Sequence, residues 1–138
     1  VLFRSKDVIA KFLATEFPQS KCVVEAVGDR AATIRHAVGF DELRPGGTVS
    51  GPVMMTVADV ALYVAVLGEV GLVPLAVTSS LSINFLRKPA ADNAIIGQCK
   101  LIKVGRSLVV GEVLLYSDGD DRPVAHVMGT YALPTPQS

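Results

Sequence analysis

The feature that most constrains the fold is a long apolar run near the middle of the chain. Residues 52–68 read Pro-Val-Met-Met-Thr-Val-Ala-Asp-Val-Ala-Leu-Tyr-Val-Ala-Val-Leu-Gly, with Asp59 as the only charged residue. The run is longer than a typical strand, and its Pro start and Gly end are typical of a helix. A helix that is apolar on nearly every side is a buried helix. The run therefore predicts a buried central helix over about 52–68.

The other patterns predict a second helix and six strands. Apolar residues at helical spacing indicate an amphipathic N-terminal helix over about 5–16. Strands are predicted where β-rich runs lie between turn formers, over 22–28, 31–38, 76–86, 94–104, 108–117 and 124–133. An antiparallel sheet with one long apolar helix packs most economically when the sheet curls around the helix. The expected fold class is α+β, the hot-dog fold, with residues 1–138 as a single domain.

The composition argues against several classes of function. Lysine plus arginine and aspartate plus glutamate each number 13, so no basic surface for nucleic acid is expected. Asp59, Glu69 and Pro74 interrupt the apolar stretch, so no membrane-spanning segment is expected either. The amino end lacks the pattern of a signal peptide, and we expect a cytoplasmic protein. Because hydrophobic residues make up 50% of so short a chain, we expect apolar surface to be covered by another subunit.

The cysteines and histidines indicate neither a metal site nor a cofactor. Cys22 and Cys99 lack CxxC spacing, and the sequence offers no Cys and His cluster with metal-ligand spacing. Both cysteines are expected to be buried structural thiols. His36 and His126 fall in predicted strands, where packed or edge histidines are more usual than catalysts.

Asp59 is the candidate chemical centre. Burying an unpaired carboxylate is costly, so this group must be paired, be protonated or face a cavity; a structural role at a solvent edge is the open alternative. The loop over 46–51 enters the helix, whose first N–H groups favour a developing negative charge, although Ser50 as an ordinary N-cap explains the same loop. About 12 Å of helix separates Gly51 from Asp59. Both would therefore reach one carbonyl only across a dimer axis.

Three motifs resemble those of the PaaI-type (phenylacetate-degradation) branch of the hot-dog thioesterase superfamily. They are Gly47-Thr48-Val49-Ser50-Gly51-Pro52, Thr56-Val57-Ala58-Asp59-Val60-Ala61 and Thr78-Ser79-Ser80-Leu81-Ser82-Ile83-Asn84-Phe85-Leu86-Arg87. Lys103-Val104-Gly105-Arg106 and Gly129-Thr130-Tyr131 extend the likeness over about residues 35–133. The resemblance implies a hot-dog homodimer, often paired into a homotetramer, that hydrolyses acyl-CoA to free acid and CoA without a metal or cofactor.

The resemblance also implies roles for single residues. Asp59 takes the position of the general base or nucleophile, Gly51 that of the backbone donor to the thioester oxygen, and Thr78 that of the hydroxyl that orients water. Two loop positions depart from the family pattern, because Ser50 replaces a usual His and Arg44 a usual Asn. A serine cannot supply an imidazole hydrogen bond, and an arginine adds a fixed cation. An altered substrate or a loss of activity is therefore an open alternative.

Further residues are candidates for substrate contacts. Arg87, Lys103 and Arg106 lie at strand ends or turns where they could meet CoA phosphates, although solvated edge residues of this kind are common. Met54 could line the acyl pocket or fill the core. Two rival functions stay open: a hot-dog hydratase or dehydratase, against which the lack of a His near Asp59 counts, and a non-catalytic acyl-CoA-binding or regulatory protein.

Overall fold

The computed structural model describes residues 5–73 and 75–134; Pro74 and the two chain ends lie outside this part. Helices and strands follow in the order α1 Lys6–Glu16, β1 Cys22–Gly28, β2 Ala31–His36, a 3-10 turn Phe40–Glu42, β3 Leu43–Arg44, β4 Thr48–Val49, α2 Gly51–Val70, β5 Val77–Phe85, β6 Ile95–Val104, β7 Leu108–Ser117 and β8 Ala125–Ala132.

Six strands form one antiparallel sheet in the order β1-β2-β6-β7-β8-β5, so that β1 and β5 are its edges. Helix α2 contacts all six of these strands, because the sheet curls around it. The hot-dog fold expected from the sequence is therefore confirmed. The short strands β3 and β4 form a separate hairpin in the loop before α2, where the sequence analysis expected only a loop.

Local signals place the start and the end of α2. The Ser50 hydroxyl caps the helix by accepting a hydrogen bond from the Val53 N–H at 3.4 Å, and Pro52 lies in the first turn. The helix continues past Gly68, the predicted end, to Val70. A glycine is needed at position 68 for packing, since a Cβ there would lie 2.9 Å from Val27. Gly71 ends the helix instead, with a φ of 101° that favours glycine.

The two halves of α2 differ in burial. The segment Ala61–Gly68 is buried and forms the centre of the core. By length and composition α2 could cross a membrane, but 61% of its most apolar window is buried inside the fold, as in a core helix. In the first half one face is open: Pro52, Met55 and Thr56 are exposed and Asp59 is partly exposed. This spacing is that of a single helix face.

Two glycines let α2 approach the middle of the sheet closely. Gly111 on β7 and Gly129 on β8 are register partners. A Cβ would lie 2.5 Å from the Leu62 side chain at Gly111 and 2.6 Å from it at Gly129. Leu62 is fully buried at this point. This contact sets the distance between α2 and strands β7 and β8, and therefore the position of Asp59 relative to β8.

Candidate active site

The Asp59 carboxylate is held by two hydroxyl groups from the sheet. Thr78 on β5 donates a hydrogen bond to Oδ1 at 2.6 Å, and Tyr131 on β8 donates to the same oxygen at 2.9 Å. Thr78 and Tyr131 are cross-strand partners, so the pairing of β5 with β8 brings the two donors together. Within residues 5–73 and 75–134, both hydrogen bonds to this carboxylate end on Oδ1. Oδ2 is therefore the oxygen left to accept a proton or bind water.

Tyr131 was not among the residues that the sequence analysis assigned to the site. Its side chain is buried and stacks on Tyr63, with ring centroids 5.6 Å apart. Burial raises the pKa of Tyr131 well above its ordinary value; the hydrogen bond with Thr78 opposes this and the charge of Asp59 adds to it. The hydroxyl is therefore a permanent donor to Asp59 at neutral pH. The sequence signal was a tyrosine within a predicted strand, and its role becomes clear only once the strand register is known.

Asp59 lines a cavity of about 620 Å³, within the range of small-molecule sites of about 300–1,000 Å³. Most of the exposed lining is apolar and comes from α1, α2 and the start of β5: Leu13, Phe17, Val60, Tyr63, Ala76 and Val77. Phe17 and Tyr63 meet edge to face at 5.7 Å and form one wall. The arrangement offers a fixed carboxylate beside a space suited to an apolar group.

Gly51 lies in a different cavity, of about 420 Å³, with Arg44, Met54 and Arg87 among its lining residues. The two cavities have no lining residue in common. Gly51 is the first residue of α2, where an N–H has no acceptor within the helix. The structure thus brings Thr78 to Asp59 but separates both from Gly51 within one chain.

Little space surrounds Gly51 at this helix start. A Cβ on Gly51 would lie 3.2 Å from Cζ of Phe85, a half-exposed residue that can move aside. The neighbouring Ser50 lines neither cavity and acts as the helix cap. Position 50, which is usually a His in the PaaI-type family, is therefore occupied here by a serine that caps the helix.

The predicted phosphate-binding cations are divided between two places. Arg44 and Arg87 line the cavity of Gly51, where Lys88 joins them. Arg87 also donates from Nε to the carbonyl oxygen of Pro123 at 3.0 Å, which holds its side chain. Lys103 and Arg106 lie at the β6–β7 turn and line neither cavity.

The two cysteines differ in burial. Cys99 is buried as expected, whereas Cys22 is only half-buried. In the described part of the chain, no group of three or more His, Cys, Asp or Glu side chains could hold a metal ion.

A curled antiparallel sheet around an apolar helix defines a hot-dog protein, and here the carboxylate of Asp59 on that helix lies at a mostly apolar cavity. A family model of the Thioesterase superfamily matches residues 46–124. The chain belongs to this superfamily. The expectation from the sequence that the protein is a thioesterase is thereby confirmed.

Solved structures agree with this assignment. A candidate thioesterase from Silicibacter sp. TM1040 is 41% identical with a TM-score of 0.89, covering 98% of this chain and 95% of that chain. Zebra fish thioesterase superfamily member 2 is 19% identical with a TM-score of 0.83, covering 95% and 99%. The E. coli PaaI protein of the phenylacetic acid degradation operon is 15% identical with a TM-score of 0.80, covering 96% and 97%. The last two share the fold. No match was found among curated proteins.

Proposed function

We propose that this protein hydrolyses acyl-CoA thioesters to the free acid and CoA, with Asp59 as general base or nucleophile. The observation that carries the proposal is the Asp59 carboxylate, which lines a mostly apolar cavity while two hydroxyls bind one of its oxygens. A carboxylate held in this way has a fixed orientation and one oxygen available for chemistry.

In the general-base form of the reaction, Oδ2 of Asp59 takes a proton from a water molecule as the water oxygen attacks the thioester carbonyl. The carbonyl oxygen becomes an oxyanion, which a backbone N–H can stabilise, and Gly51 supplies the candidate donor. The C–S bond then breaks and CoA leaves as a thiolate. Because a thiolate leaves easily, the reaction needs little help from a general acid.

A complete site of this kind needs two subunits. Gly51 and Asp59 lie in separate cavities of one chain, and an antiparallel pair of α2 helices would place the Gly51 of one subunit beside the Asp59 of the other. The open face of α2 supports a homodimer, because Met55 is 38% exposed there. The neighbouring edge strand β5 adds apolar surface, with Val77 58% and Phe85 51% exposed.

The cavity of Gly51 is the candidate place for the phosphates of CoA. Arg44, Arg87 and Lys88 line it together, and guanidinium groups bind phosphate through paired N–H donors. In this proposal Arg44, which departs from the family pattern, binds the substrate. Lys103 and Arg106 have no part in the same subunit's site.

The direct test measures CoA release from a panel of short, medium and aromatic acyl-CoA substrates. Asp59→Asn is expected to lower kcat/KM by about 100-fold or more, because it removes the base and keeps the shape of the side chain. Asp92→Asn is the matched control, since Asp92 is exposed and lines neither cavity. Both variants should unfold at the wild-type temperature.

Two results would contradict the proposal. Full activity of Asp59→Asn would remove Asp59 from the chemistry. Tight binding of acyl-CoA in calorimetry without CoA release by the wild type would favour the non-catalytic binding protein.

A further inference from the structure

The cavity of Asp59 is lined by a second polar group of residues, here named the histidine cluster: Cys22, His36 and Glu42. Cys22 and His36 lie on β1 and β2, at one edge of the sheet, whereas the partners of Asp59 lie on β8 and β5, at the other. The proposed reaction gives the histidine cluster no task. Its geometry therefore requires a separate explanation.

The Glu42 carboxylate determines which nitrogen of His36 carries a proton. Burial acts to raise the pKa of Glu42, but the hydrogen bond from the Gly39 N–H at 2.7 Å and the hydrogen bond from the His36 ring oppose it, so the pKa is lowered. An ionised carboxylate only accepts hydrogen bonds, and Nε2 of His36 lies 2.8 Å from it. Nε2 is therefore the donor. In the neutral imidazole Nδ1 is then an acceptor.

Nδ1 of His36 has a weak partner. The nearest donor is the Cys22 thiol, with Sγ at 3.8 Å, and a thiol is a weak donor. Burial raises the pKa of Cys22, so the group stays a neutral thiol. The His36 side chain is only 5% exposed and still lines the cavity. A hydroxyl group in the cavity would give this nitrogen a stronger hydrogen bond than the thiol does.

Resting on the proposed thioester hydrolysis, we infer that His36 is a specificity-determining residue whose Nδ1 accepts a hydrogen bond from a hydroxyl at the far end of the acyl group. Most of the exposed lining of this cavity is apolar, including Phe17, Val60 and Tyr63, and suits a hydrocarbon stem. A neutral hydroxyl fits better than an ion. Lys21, with Nζ 4.0 Å from Glu42, would repel an ammonium group, and Glu42 would repel a carboxylate.

The experiment compares matched substrates that differ only in the terminal hydroxyl. Hexanoyl-, octanoyl- and decanoyl-CoA are assayed beside their ω-hydroxy counterparts at about pH 8. For the chain length that reaches His36, the ω-hydroxy substrate is expected to have a kcat/KM about 10-fold higher than its partner, the effect of one good hydrogen bond.

Three variants assign the preference to Nδ1. His36→Phe keeps an aromatic ring but has no nitrogen that can accept a hydrogen bond, so the ratio of kcat/KM values should fall to about one. Cys22→Ala removes the competing thiol, so the preference should persist or grow. His126→Phe is the matched control: His126 pairs with Glu112 at 2.9 Å in the same way but does not line the cavity, and its ratio should equal that of the wild type.

A ratio near one for every chain length in the wild type would overturn the inference, as would a preference that survives in His36→Phe. Loss of the preference in Cys22→Ala would assign it to the thiol and overturn the role of Nδ1. If the wild type releases no CoA from any substrate, the proposed function fails instead. Calorimetry with Asp59→Asn and the same pairs then decides the inference, through a Kd difference of about 10-fold that His36→Phe abolishes.

Discussion

At the scale of single residues, the chemistry of Asp59 depends on its two hydroxyl partners. Thr78 and Tyr131 bind Oδ1 from adjacent strands and so fix the plane of the carboxylate. Asp59 could be found in the sequence because a lone charge in an apolar helix needs a reason. Tyr131 could not, because its role depends on a cross-strand pairing.

Replacing Tyr131 by phenylalanine tests this positioning. Tyr131→Phe keeps the ring that stacks on Tyr63 and removes one hydrogen bond to Asp59, so kcat/KM is expected to fall by about 10-fold. The fall should be mainly in kcat, since the hydroxyl orients the base. Tyr116→Phe is the control, because Tyr116 lies on β7 and does not line the cavity of Asp59. Unchanged kinetics would show that Thr78 alone orients the carboxylate.

Cys99 is expected to make the fold less stable as the pH rises into the alkaline range. Burial, with a smaller effect of Glu112, raises the pKa of Cys99 to about 12 from its ordinary value of 9.0. The folded state thus holds the thiol proton more tightly than the unfolded chain does. This stability is complete below about pH 9 and is lost as the pH rises towards 12, at up to about 1.4 kcal/mol per pH unit.

Urea unfolding of the wild type and of Cys99→Ala between about pH 8 and pH 11 measures this effect. The free energy of unfolding should fall more steeply with pH in the wild type than in the variant. Equal slopes would contradict the prediction. The variant also loses packing, but that loss is the same at every pH and does not alter the slope.

At the scale of elements, the position of α2 depends on close contact with β7 and β8. Gly129→Ala would place a Cβ 2.6 Å from Leu62 and 3.0 Å from Leu81, so one of these side chains or the helix must shift. We expect a loss of about 1–3 kcal/mol in the free energy of unfolding by urea. Gly28→Ala is the control, since a Cβ there meets nothing within 4 Å, and it should change stability by less than about 1 kcal/mol.

Most element bounds were predictable because their signals are local. The run over 108–117 was predicted as a strand and is β7. The β3–β4 hairpin was missed because strands of two residues carry no periodic pattern. Helix α2 ends two residues beyond the predicted end at about residue 68; Gly68 packs closely against Val27, and Gly71 follows the last helical residue.

At the scale of the whole molecule, one chain holds two incomplete halves of the proposed site. Mixing two inactive variants tests this directly. Asp59→Asn lacks the base, and Gly51→Pro lacks the N–H of the proposed oxyanion donor, at a first helical position where proline is compatible with a helix. In a heterodimer of the two, one composite site is intact. Refolding an equal mixture should therefore recover about a quarter of the wild-type rate of CoA release, since about half of the dimers are mixed and each holds one good site.

The matched control mixes Asp59→Asn with Asp59→Ala, a pair that cannot form an intact site and should recover nothing. Native mass spectrometry shows whether mixed dimers are present. Mixed dimers without activity would contradict a site shared between two subunits, whereas full activity of the Gly51 variant alone would place Gly51 outside the site.

The sequence by itself determined the buried central helix, the carboxylate of Asp59 within its apolar run and the superfamily, because hydrophobic periodicity, helix caps and short motifs are properties of neighbouring residues. The single domain, the dimer and the acyl-CoA substrate stay predictions. Only the tertiary structure decided that Tyr131 binds Asp59, that Gly51 lies in a separate cavity and that His36 shares the cavity of Asp59. Each of these facts depends on how strands distant in the chain pair and curl around α2, and no local pattern records that arrangement.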